Sequence, residues 1–216
     1  LVDESFGKME KKEVTHPTLP KEEPITSPIV KEVYGPTAES VAIAFRSDAI
    51  GTPQHKLLTL ADMILANGNA GLIDLNLNQK QVVQNASCSP TFLNDYGYHV
   101  FTGTPKSQQS LDEVKELLLD QVEKLKAGEF EDWMIDAVVN DLKLSQTRQY
   151  ENNSALASAY YNAFIHREKW EDRVKFLDEL KKISKQELVD FANEFYKDNY
   201  VITYKRQGED KNIVKV

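Results

Sequence analysis

What this 216-residue sequence has little of already removes several function classes. It holds one cysteine, Cys88, which excludes an internal disulfide framework and any zinc cluster built from cysteines. Its four histidines, His16, His55, His99 and His166, stand alone. No two of them have the spacing by which a helix presents two imidazoles to one ion, and a lone histidine more often packs than ligates. The sequence alone therefore points to no catalytic residue and no metal ligand. No apolar run approaches the roughly 18 residues that a membrane-spanning helix requires, and no basic-then-apolar leader stands within the chain. Positive charge is also scarce: 26 Lys and Arg face 34 Asp and Glu, a net charge of −8. That balance excludes a nucleic-acid surface, which needs clustered cations, and favours unfolded or basic peptides as clients.

What is present is ample core material. With 41% hydrophobic and 28% charged residues, the chain can bury one domain or two closely packed subdomains. It opens at Leu1 rather than Met, which reads as a piece of a longer polypeptide. Residues 1–28 read as the tail of a preceding helix followed by a linker. In that linker Pro17, Pro20, Pro24 and Pro28 forbid a continuous helix. Residues 29–216 then form a single α/β subdomain.

Hydrophobic periodicity places its elements. Strands are expected at 29–34, 40–47, 81–90, 96–104 and 200–205. The first is read as an edge strand that turns through Gly35, Pro36 and Thr37 into an antiparallel pair with the central second strand. The third and fourth are read as hairpin partners, with His99 and Phe101 alternating against Tyr98, Val100 and Thr102. Helices are expected at 53–67, briefly at 72–77, and at 110–128, 130–149, 153–166, 172–183 and 186–196. Ser184 and Glu187 have capping-box spacing at the start of the last of these. The stripe Leu111, Val114, Leu117, Leu118, Val122 and Leu125 demands a sheet to cover. The fold class is therefore α+β, a mainly antiparallel sheet of about five strands covered on one face by helices. Trp133, Tyr160, Tyr161, Phe164 and Trp170 sit at helical spacings and are expected in the core and the helix interfaces.

From residue 40 to residue 90 the order is strand, helix, the break Asn67-Gly68-Asn69-Ala70-Gly71, a brief helix and a return strand. This order resembles a module of the insulinase (pitrilysin) family of zinc metallopeptidases. The likeness continues at Gly128-Glu129-Phe130-Glu131 and at Ile183-Ser184-Lys185-Gln186-Glu187-Leu188. The resemblance implies paired α/β halves closing as a clamshell around a chamber, in which a zinc-bound water cleaves peptides. It also implies that zinc is held by an inverted His-x-x-Glu-His motif and a downstream Glu. That motif is absent here, so the metal belongs to another domain of the parent enzyme. Where active relatives carry an Arg and a Tyr, residues 98–106 offer His99 and Lys106 but no Arg, which suits a zinc-bearing half downstream of its motif or an inactive half. By the same resemblance Asn67, Gly68, Asn69, Ala70 and Gly71, with Val82, Val83 and Gln84 on the return strand, are candidate substrate-binding residues. The other reading of Gly68 and Gly71 is that they end one helix and begin the next. The implied partners are the other half of the same peptidase and a peptide substrate, and the implied setting is a bacterial periplasm or envelope. A second function stays open, a structural or assembly module of a catalytically inactive peptidase homologue.

Overall fold

A computed structural model describes residues 1–210 apart from 11, 14 and 16–19. His16 and Pro17 of the linker therefore lie outside the described residues. The chain begins with a short exposed helix α1 (Val2–Phe6), and its first strand is β1 (Ile29–Gly35). In β2 (Ser40–Asp48) strict alternation sends Val41, Ile43, Phe45 and Ser47 to a buried side and Ala42, Ala44 and Arg46 to the other. The hairpin of β3 (Asn85–Thr91) and β4 (Tyr96–Thr104) and the late strand β5 (Tyr200–Gln207) complete one five-stranded sheet, ordered β1-β5-β2-β4-β3. All pairings are antiparallel except β1 with β5.

Two strand expectations need correction. β1 does not pair with β2, because β5 lies between them and takes β1 as a parallel neighbour. β5 carries Ile202 and Tyr204, which register with Ile43 and Val41 and continue the buried face, whereas Ile29, Val30, Val33 and Tyr34 of β1 stay exposed. The strand with core residues takes the interior position. The 36–39 connection passes its edge, where Lys205 Nζ donates to Thr37 and Ala38. The third strand starts at Asn85 rather than 81, since residues 81–84 are spent in a bend and Gln81 has a φ of +52°.

Helices cover one face only. α2 (Pro53–Leu65), α3 (Leu111–Lys126) and α7 (Lys185–Phe195) bring Leu58, Ala61, Val114, Leu118, Leu188 and Ala192 to the core. Ser110 and Glu113 form a capping box on α3, and Ser184 and Glu187 form the expected one on α7. α3 approaches β4 so closely that a Cβ on Gly103 would lie 2.4 Å from Val114 Cγ1, which is why no larger residue fits there. Between α2 and β3 the brief helix is a π-helical turn, Asp74–Asn78. α4 (Trp133–Tyr150), α5 (Asn153–Ile165) and α6 (Trp170–Leu180) stack behind α2 as a second layer. Here the aromatic expectation fails: Trp133, Tyr160, Tyr161 and Phe164 are exposed, Phe164 at 85%, although Tyr160 stacks on Trp170. α5 is outermost and buries only its small side, Ala159 and Ala163. The inner aromatic cluster is instead Phe45, Phe101, Phe195 and Tyr196. No helix of the described residues is long and apolar enough to cross a membrane.

Candidate functional site

The break after α2 is built around one carboxylate. Asp74, itself buried, accepts on Oδ2 from the main-chain N–H of Asn67 (2.8 Å), Gly68 (2.8 Å) and Gly71 (3.2 Å). Asn67 Oδ1 accepts from Asn69 N–H and Ala70 N–H, so all five amides of this loop are satisfied within it. Gly68 has a φ of +82°, and a Cβ on Gly71 would stand 2.6 Å from Leu65 O. Both glycines are thus required by the turn itself. Whatever the loop presents to a ligand is its surface and not a row of free N–H donors.

The return segment divides. Val83 is in the core, Val82 is half-buried with its N–H bonded to Leu77 O, and Gln84 is exposed with its N–H bonded to Thr104 O. Of the eight predicted residues, Gly68 and Gln84 line one shared groove of about 480 Å³ with Asp74, Asn78, Gln79 and the start of β3. Asn67, Asn69, Ala70, Gly71, Val82 and Val83 do not line it. The outer edge of β3 is blunted. Asn78 Nδ2 donates to Ala86 O and Ala86 N–H donates to Asn78 Oδ1, and Pro90 has no N–H.

The sheet face away from the helices is unclad among the described residues. Its cross-strand rows are short-chained: Ser87, Thr102, Ala42 and Thr203 in one, and Ser89, Val100, Ala44 and Val201 in the next. At one end Arg46 closes the face. Its guanidinium pairs with the Glu22 carboxylate at 2.5 Å, donates to Glu23 O at 3.0 Å and lies over the Tyr96 ring. This links the extended segment before β1 to the sheet.

On the helix side a polar group is sealed under α2 and α7. Fully buried His99 places Nε2 3.0 Å from Asp62 Oδ1 and Nδ1 2.7 Å from Tyr196 Oη. A neutral imidazole satisfies both contacts by donating to Asp62 and accepting from Tyr196. Cys88 lies beside Asp62, and burial, with that carboxylate, pushes its thiol well above its ordinary pKa. Sequence reasoning missed this grouping because its members are 26, 37 and 97 residues apart. The one available signal was strand alternation, which puts His99 on the same face as Phe101. A second polar pocket, between the start of α2 and the α5–α6 turn, gathers His55, Lys56, His166, Arg167 and Glu179. Burial, then Lys56, Arg173 and His166, lower the His55 pKa to about 4. Lys56 pairs with Glu179, and Arg173 with Glu168 at 2.9 Å.

Residues 1–142 match the family model described as the peptidase M16 inactive domain. The chain belongs to that family. Among solved structures, the M16 inactive domain described here is similar to a protease from Helicobacter pylori, with a TM-score of 0.86 and 18% identity over 94% of this chain and 51% of that one. It is also similar to a peptidase M16 inactive domain from Pseudomonas fluorescens (TM-score 0.73, 13% identity, 93% and 48% covered). A third likeness is to the first half of the periplasmic protease PqqL from Escherichia coli (TM-score 0.70, 12% identity, 94% and 47% covered). The chain spans about half the length of these three structures. No curated protein matches it.

Proposed function

We propose that this M16 domain is the non-catalytic subdomain of a zinc endopeptidase. In this reading it contributes wall to the cleavage chamber and grips peptide substrate, while another domain binds the catalytic zinc. The observation that carries the reading is the asymmetry of the sheet. One face is sealed by helices, and the other is unclad and lined by Ser87, Ser89, Ala42, Ala44, Thr102 and Thr203. Short side chains let an extended peptide lie near the backbone and give little sequence preference, as a broad-specificity chamber requires. The groove holding Gly68 and Gln84 opens at the β3 border and is the proposed hold on the substrate's end. Its working group is the Gln84 side chain, since the loop amides are already bonded and Gln79 Nε2 donates to Asn69 O at 2.7 Å. Half-length coverage of related chains supports a companion half as the partner.

The test is a titration of the chain with an unstructured basic peptide, read by residue-resolved NMR. Shifts at Gln84, Ser87, Val100 and Thr102 are expected, with no cleavage of unfolded casein by the chain alone in the presence of zinc. Shifts confined to the α5 surface, or cleavage by the isolated chain, defeat the proposal.

A further inference from the structure

Asp62 on α2, Cys88 on β3 and His99 on β4 each bring one donor atom within 4.8 Å of the other two. The 3.0 Å between His99 Nε2 and Asp62 Oδ1 is close to the roughly 3.3 Å that separates two corners of a tetrahedron with zinc–ligand bonds of about 2.05 Å. We propose that Asp62, Cys88 and His99 form a three-ligand site for a zinc-class divalent cation in the core of this domain, with the fourth corner left to water.

The donor types select the class. One imidazole nitrogen and one thiolate favour a borderline-soft transition metal, whereas calcium and magnesium take oxygens alone. The surroundings fit as well. Metal-bound imidazoles are held by a partner on the other ring nitrogen, and Tyr196 Oη stands 2.7 Å from His99 Nδ1. Cys88 also borders the 480 Å³ groove beside Asp74 and Ala66, which places the site one residue layer from the surface. The protons balance. Without metal, neutral His99 donates Nε2–H to Asp62 and accepts from Tyr196. With metal it takes the Nδ1–H tautomer and donates to Tyr196 Oη, its Nε2 lone pair binds the ion, and the Cys88 proton leaves to solvent, one proton per ion. A nucleophilic role for Cys88 does not fit the same geometry, because both nitrogens of His99 are engaged and neither can take the thiol proton.

The test is a cobalt(II) titration of the full chain followed by absorbance, beside the Cys88→Ala variant with its fold verified by circular dichroism. A thiolate-to-cobalt charge-transfer band that saturates at one equivalent, disappears on adding zinc and is missing from C88A is expected. Zinc should raise the melting temperature of the native chain and leave that of C88A unchanged. Folded native chain without the band, or equal metal binding by C88A, overturns the site. Neither readout involves peptide, so the site and the chamber-wall function fail independently.

Discussion

Replacing Asp74 by Ala removes the acceptor on which the whole 67–71 turn is folded. Three N–H donors lose their partner at once. The hydrogen bond from Gly71 is buried, so its donor bears the full desolvation cost of about 1–3 kcal/mol. Asn67 is half-buried and Gly68 is exposed, so both can recruit water, leaving about 0.5–1 kcal/mol each for the lost charge-assisted bonds. The sum is a loss of about 2–5 kcal/mol, or about 10 °C in melting temperature for a chain of this size. Urea unfolding should show the midpoint fall with an unchanged slope. Hydrogen exchange should speed at residues 67, 68 and 71 before it speeds in the sheet. Asp74→Asn, which keeps one acceptor oxygen, should lose less. A D74A chain within about 0.5 kcal/mol of the native one, with these amides still protected, would show that the turn is held by packing and that the carboxylate is incidental.

Two further outcomes test the packing and the charge arrangement. Gly103→Ala should destabilise by about 1–3 kcal/mol, because the new Cβ meets the buried side chain of Val114, and adding Val114→Ala should recover part of that loss in a urea double-mutant cycle. The folded-state pKa of His55 is lowered to about 4 from 6.5, so the unfolded chain takes up a proton that the folded chain refuses. Stability should therefore fall as pH drops from about 6.5 to about 4 and level off below that. The slope contributed by His55 should vanish in His55→Gln, and an identical pH profile for the variant would refute the assignment.

Much of the architecture was legible in local pattern. The alternation of Val41, Ile43 and Phe45, the stripe from Leu111 to Leu125 and the Ser184–Glu187 capping box each encode their element within a few residues, and all three stand where they were read. The errors share a cause. Periodicity states that a residue faces something apolar, and it does not state what. Tyr160 and Phe164 keep helical spacing on α5, yet α5 is outermost and that side meets solvent. Val82 and Val83 have strand composition, yet the π-helical turn that ends at Asn78 uses the next residues to reach the sheet. For the candidate site, the glycines at 68 and 71 were legible as a break. That Asp74 consumes the break's donors was not, because only the folded turn brings that carboxylate onto them.

The amino-acid order by itself determined the α+β class, the one-sided amphipathic helices, the absence of the inverted zinc motif and the break at residues 67–71, since each depends on neighbours within one or two turns of chain. Tertiary structure alone decided that β5 separates β1 from β2, which sheet face stays unclad, and that Asp62, Cys88, His99 and Tyr196 meet. Those outcomes are settled by competition among distant segments for one buried surface. Ile202 and Tyr204 win the place beside β2 because they bury more apolar area there than β1 can, and no window of sequence contains both contestants.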